Sequence, residues 1–176
     1  MSDLQDYIDQ RLATDLEFAD GFEQGYLAFK QSILDPPINL SRWLKKEVEA
    51  SWQTLEELFA DSPPQLAFRS DDEKRGKLID LGVRLAHRPL ALIISLQPET
   101  DQKINLLIQL RPLDSETTLP PGLTLRLISE TGEPLYEVIA RDSDHLIQMA
   151  FDAEPAEAFS LELEWEDFYL CEDFIL

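Results

Sequence analysis

Strict alternation of apolar and polar residues is the feature of this sequence that most restricts its fold. Phe159, Leu161, Leu163 and Trp165 are interleaved with Ser160, Glu162, Glu164 and Glu166, and Leu123, Leu125 and Leu127 with Thr124 and Arg126. A period of two sends apolar side chains to one face of an extended chain and polar ones to the other, so each stretch is a half-buried strand. About eight such strands are expected, near residues 77–85, 89–97, 103–111, 123–129, 134–140, 145–151, 159–166 and 168–176. Turn chemistry such as Gln97-Pro98-Glu99-Thr100-Asp101 and Glu130-Thr131-Gly132-Glu133-Pro134 divides them. Nothing between them is long enough for a helical crossover, which parallel neighbours would need. The expected fold is therefore α+β, with N-terminal helices followed by an antiparallel β-sandwich of about eight strands; a small β-barrel is the alternative.

Upstream the period is helical, and the Pro36-Pro37 and Pro63-Pro64 pairs divide it. Leu4, Tyr7, Ile8 and Leu12 recur at helical spacing, and Phe18, Phe22, Phe29 and Ile33 do so after a break. Within that break Thr14-Asp15-Leu16-Glu17 is a capping box, which makes Thr14 the expected N-cap of a second helix. From Asn39 to Ala60 the residues Leu40, Trp43, Leu44, Val48, Trp52, Leu55, Leu58 and Phe59 predict one amphipathic helix packed on the body of the protein. Lys45, Lys46, Glu47, Glu49 and Glu56 form its solvated side. The expected organisation is a helical segment over 1–35, this helix over 38–62 and the sandwich over 77–176.

Charge narrows the choice of partners. Among 176 residues, 35 are Asp or Glu and 15 are Lys or Arg, giving a formal charge of −20, yet 44% of the chain is hydrophobic. A core is therefore affordable, while phosphate backbones and anionic lipid surfaces would repel the molecule. Neither nucleic acid nor a membrane is an expected partner. The start MSDLQDYIDQ has neither the basic residues nor the apolar run of a secretory signal, and no apolar stretch reaches the roughly 18 residues of a membrane span, so a cytoplasmic location is expected. With a single cysteine, Cys171, no intramolecular disulfide can form.

Little in the sequence points to a reaction centre, and no catalytic, cofactor-binding or metal-ligating residue is assigned. His87 and His145 lie far apart in the chain, each read as a loop or strand-edge residue. Glu162, Glu164 and Glu166 project together from the solvated face of one strand rather than into a pocket that would raise a pKa. Asp142-Ser143-Asp144 could offer two hard oxygen ligands but lacks the glycine a calcium turn uses, and reads as a plain turn. Cys171, between Leu170 and Glu172 with no cation nearby in sequence, reads as an unreactive strand residue. From Asp142 to the last residue there is no Lys or Arg. That stretch either keeps the protein soluble or steers a basic partner.

Two family resemblances accompany these readings. The stretch INLSRWLKKEVEASWQTLEELF, then KRGKLIDLGVRLAHRPLALIISLQPETDQKINLLIQLRP, LPPGLTLRLISETGEPLYEVIARDSDHLIQM and FYLCEDFIL, resembles the C-terminal part of a cyanobacterial domain-of-unknown-function family, number eighteen twenty-two. The likeness runs over residues 38–176 and rests on Leu40-Ser41-Arg42-Trp43-Leu44, the Trp52 region, Lys77 to Gly82 and Glu172-Asp173-Phe174-Ile175. It implies an origin and an architecture, and brings no catalytic residues with it. Residues 1–34 resemble the segment that precedes the helix-turn-helix in some antitoxins, at Tyr7, Ile8, Arg11, Asp15, Phe18, Gly25, Tyr26, Phe29 and Lys30. Where such an antitoxin continues into DNA-binding helices, this chain reads Asp35-Pro36-Pro37.

The resulting expectation is a non-enzymatic, cytoplasmic interaction or scaffold protein with a protein partner, a basic one in keeping with the charge. One alternative is a toxin-neutralising protein that binds a basic toxin through Tyr7, Phe18, Phe22, Tyr26 and Phe29, as the second resemblance implies; packing of a helical hairpin would use the same aromatics. The other is a carboxylate-dependent hydrolase, which requires a concave site holding an Asp or Glu of raised pKa.

Overall fold

The computed structural model describes residues 36–60, 72–81, 89–114 and 116–176. Strands dominate. Strand β1 (Ile38–Asn39) leads into two single-turn helices, α1 (Leu40–Trp43) and α2 (Leu55–Leu58). Eight longer strands follow: β2 (Glu73–Ile79), β3 (Leu90–Pro98), β4 (Ile104–Pro112), β5 (Thr124–Ser129), β6 (Pro134–Ile139), β7 (Ile147–Ala153), β8 (Ala158–Trp165) and β9 (Phe168–Ile175). They form a five-stranded sheet in the order β1-β9-β8-β5-β6 and a four-stranded sheet in the order β2-β3-β4-β7. Both sheets are open, so the barrel alternative is set aside. All ladders are antiparallel except β1 with β9, where Ile38 pairs with Phe174 in parallel.

Alternation decides which side of each sheet is buried. Leu125, Leu127, Phe159, Leu161, Leu163 and Phe174 of the first sheet join Leu92, Ile94, Leu96, Leu106, Ile108 and Leu110 of the second in one continuous core. Each such side chain contributes roughly 1.5–3 kcal/mol of burial. The opposite face of the first sheet carries Arg126, whose guanidinium bonds Glu137 at 2.6 Å and Glu164 at 2.5 Å.

The second sheet departs from this pattern because β3 is buried on both faces. Leu90, Leu92, Ile94 and Leu96 enter the shared core, while Ala91 and Ile93 form a second cluster with Leu58 and Phe59. Helix α2 therefore sits on the outside of the second sheet. Gly76 on β2, paired with Ile93, makes that approach possible: a Cβ there would stand 2.3 Å from the Leu58 Cδ2. Thr54 caps α2 through a complete capping box with Glu57.

The single helix expected over 39–60 does not form. After α1 the Lys46 amide bonds the Trp43 carbonyl and the Glu47 amide bonds the Arg42 carbonyl, with Lys46 at φ 67°. That pair of bonds around a left-handed residue is a Schellman ending. The cause is tertiary. In a straight helix Trp43 and Trp52 would lie about 13 Å apart along the axis, whereas breaking the helix brings their rings to 4.9 Å and places Trp52 6.0 Å from Phe174. Both tryptophans are buried as expected, but in a fold-back rather than on one helical stripe. The first long strand also begins at Glu73 rather than residue 77, because its inward positions carry Glu73, Arg75 and Lys77 and so lack an apolar alternation to read. The helices expected in residues 1–35, with the Thr14 cap, lie outside the described residues.

Replacing Gly76 with Ala should cost about 1–3 kcal/mol in urea denaturation by crowding Leu58. Leu58→Ala alone should cost about 2 kcal/mol. Combined, the two should cost clearly less than their sum, since the second removes the atom the first collides with.

Candidate functional site

Two places in the described structure bring polar side chains together between the sheets, at opposite margins. The first is a charged seam where β2 faces β9. Glu73, Arg75 and Lys77 occupy inward positions on β2, opposite Leu96, Ile94 and Leu92. Glu73 accepts from Arg75 at 2.6 Å and from Lys46, whose left-handed backbone brings its ammonium over. Lys77 crosses to Glu172 on the other sheet. Glu172 points inward because its cross-strand neighbour is Leu161. The Lys77–Glu172 pair thus fastens sheet to sheet, while Glu73 is shared by Lys46 and Arg75 on the β2 side. It is a structural clamp at a margin that apolar side chains leave open.

The second is an open groove at the other margin, where β6 of one sheet and β7 of the other diverge. It encloses about 790 Å³. Its floor is apolar, made by Leu127, Phe151 and Phe159, with Phe151 edge-on to Phe159 at 5.3 Å. Leu135 and Tyr136 stand at its mouth, 50% and 54% exposed. The rim is acidic: Glu130, Asp152 and Glu157 line it, and among the described residues no Lys, Arg or His does. Asn105 holds the Asp152 carboxylate at 2.7 Å, and the Glu157 carboxylate accepts from the Glu154 amide at 2.8 Å. These two carboxylates are therefore fixed in place above the apolar floor.

Strand β6 forms one wall and is itself unusual. It hydrogen-bonds to β5 alone among the described residues. Five of its six residues are exposed, including Leu135, Tyr136 and Ile139. The Ala140 amide bonds the Leu123 carbonyl at 2.8 Å, and the two-residue period then turns the backbone groups of Val138 and Tyr136 toward β5. Those of Glu137 and Ile139 point to the open edge.

The residues singled out from the sequence are placed as follows. Glu162 and Glu164 lie on the solvated face, where Glu164 bonds Arg126 and Glu162 accepts from the Tyr169 hydroxyl at 2.8 Å, whereas Glu166 falls in the turn after β8 at φ 50° and is not part of that stripe. The hydrogen bonds to Glu164 and Glu137 hold the Arg126 guanidinium charged far above its ordinary pKa. Partial burial, reinforced by the bond to Glu162, keeps the Tyr169 phenol protonated well above its usual range. His145 is exposed, its Nδ1 3.0 Å from the Thr117 carbonyl, and His87 lies outside the described residues. Asp142-Ser143-Asp144 is a turn in which the Asp144 carboxylate accepts from the Arg141 amide at 2.8 Å. Among the described residues no group of three or more His, Cys, Asp or Glu is arranged to hold a metal. For Cys171, burial pushes the thiol up to about 11, with the negative charge of Asp173 adding to the effect. Tyr7, Phe18, Phe22, Tyr26 and Phe29 lie outside the described residues.

Sequence reading passed over the groove. Its signal was nevertheless present: Leu135, Tyr136, Val138 and Ile139 put apolar side chains on both faces of β6, where β5 and β8 of the same sheet alternate.

Among the described residues no helix is long and apolar enough to cross a membrane. Residues 19–175 match the model of a family described as "Protein of unknown function (DUF1822)". The match starts well before residue 38, so Phe22, Tyr26 and Phe29 fall within the same family span as the sheets. No curated protein and no solved structure matches the chain significantly.

Two measurements check this description. With its pKa raised from 9.0 to about 11, Cys171 should carry about a hundredfold less thiolate at pH 8 and react with a disulfide reagent correspondingly slowly, the rate climbing until pH passes 11. Glu172→Gln should cost about 2 kcal/mol by leaving Lys77 without its partner, and Lys77→Met with Glu172→Leu should recover most of that loss.

Proposed function

We propose that this chain, which belongs to the DUF1822 family of proteins of unknown function, is a non-enzymatic interaction or scaffold protein of the cytoplasm, built on a two-sheet sandwich. One observation carries the reading: a groove with an apolar floor and a fixed acidic rim lies beside an edge strand that leaves Leu135, Tyr136 and Ile139 exposed. Apolar anchors ringed by charge are how protein partners are held, because burial of the anchor supplies the affinity and the rim supplies orientation and rate.

The chemistry of the partner follows from charge. A molecule with a formal charge of −20 attracts basic proteins and repels phosphate-rich or anionic surfaces. The carboxylates examined for hydrolysis support the same reading, since Glu162 and Glu164 are engaged with Tyr169 and Arg126 on an open face rather than gathered in a cleft.

Affinity capture from host extract tests this with the full chain, wild type beside Tyr136→Asp. Partners held by the groove should fall at least tenfold in the variant, while thermal unfolding shifts by no more than a few degrees because Tyr136 is half exposed. Equal recovery of every partner from both chains would remove the groove from the function.

A further inference from the structure

The groove and the edge of β6 are two features of one place, and together they specify more than a general partner surface. Resting on the interaction reading above, we infer that β6 is the docking edge for an extended segment of a partner protein bearing alternating apolar and basic residues. That segment joins the five-stranded sheet as a sixth strand.

Three observations select this occupant. The first is the backbone: Glu137 and Ile139 turn their amide and carbonyl groups outward, and a free edge of this kind is completed by another strand. The second is the alternation such a strand must have. Side chains on its inner face would meet Leu135, Tyr136 and Phe151, and so are apolar. The third is charge. Glu130, Asp152 and Glu157 rim the groove with no cation lining it among the described residues, Glu133 precedes β6, and Glu137, shared with Arg126, stands on the outer face that the alternate side chains of an added strand would pass, so those positions are Lys or Arg. The same carboxylates argue against a second copy of this chain. Pairing β6 with its own duplicate would bring these acids together between molecules that each carry a formal charge of −20.

The other free edge, β7, offers less. Its inward residues Ile147, Met149 and Ala153 are already buried, whereas β6 holds three large apolar side chains in solvent.

The probe is an acetylated, amidated hexapeptide of alternating lysine and valine, titrated into the isotope-labelled full chain and followed by amide NMR shifts. Shifts should concentrate on residues 135–139 and around Asp152. A peptide with glutamate in place of lysine should bind at least tenfold more weakly. Of two further peptides, one N-methylated at the lysines and one at the valines, only the form whose blocked amides face β6 should lose at least tenfold, because the backbone of an added strand presents alternate residues to the edge. In the protein, Glu137→Pro removes the outward amide while the bonds to β5 come from its neighbours. It should bind the peptide at least tenfold more weakly than Glu137→Gln, which keeps that amide and likewise loses the negative charge.

Equal weakening by both methylated peptides, or equal binding by the proline and glutamine variants, would overturn strand addition. So would shifts that fall outside the β6 margin, or no binding at all. Self-association in sedimentation that Glu137→Pro abolishes would overturn it in favour of a second copy. In each of these cases the broader interaction reading still stands if Tyr136→Asp strips partners from host extract, and falls with the inference if it does not.

Discussion

Burial of β3 on both faces is the constraint from which the rest of this architecture follows. A strand with Leu90, Leu92, Ile94 and Leu96 on one side and Ala91 and Ile93 on the other cannot lie at a solvated surface. One side is met by the first sheet and the other by α2, and the glycine at position 76 is what lets the helix come down onto the neighbouring strand. The chain before β2 must then turn back on itself to cross from the margin of one sheet to the outside of the other. The Schellman ending at Lys46 and the buried Trp43–Trp52 contact are the local means by which it does so.

A molecule this acidic has to place its charge without weakening the core. It does so in two ways. On the open face of the first sheet Arg126 sits among Glu137, Glu162 and Glu164, where solvent moderates both attraction and repulsion. At the β2 margin, Lys77 reaches across the gap to Glu172, and Glu73 takes both Arg75 of its own strand and Lys46 from the solvent side. The Lys77–Glu172 pair is held because the loss of either partner would leave an uncompensated charge between the sheets.

The two margins of the sheet pair are therefore unlike. One is closed by matched ion pairs and by the short parallel strand β1; the other stays open, with an apolar floor and carboxylates that have no cationic counterpart along the cavity. Edges are commonly guarded against unwanted pairing by charge, proline or irregularity, and β6 has Glu137, Pro134 and a register shift against β5. It nevertheless exposes Leu135, Tyr136 and Ile139 beside the groove, and this asymmetry is what gives the groove its functional weight.

Seven of the eight long strands could be read from the sequence to within a few residues, by a period of two where one face is buried and the other wet and by turn residues between apolar runs elsewhere. The nature of the Glu162 and Glu164 stripe and of the Asp142 turn was legible too, since both depend on neighbours close in the chain. The capping box at Thr54-Leu55-Glu56-Glu57 was equally visible, although the long apolar stripe around it spoke for a continuous helix. Where the sequence misled, distant contacts had overridden local preference: the two tryptophans broke the helix to meet, and paired charges took the place of apolar residues at the start of β2. The apolar residues on both faces of β6 were a local sign of an unusual strand, but the groove itself was decided by tertiary structure. Leu135 and Asp152 become neighbours only when two sheets diverge at one margin, and a local pattern does not encode where two surfaces fail to touch.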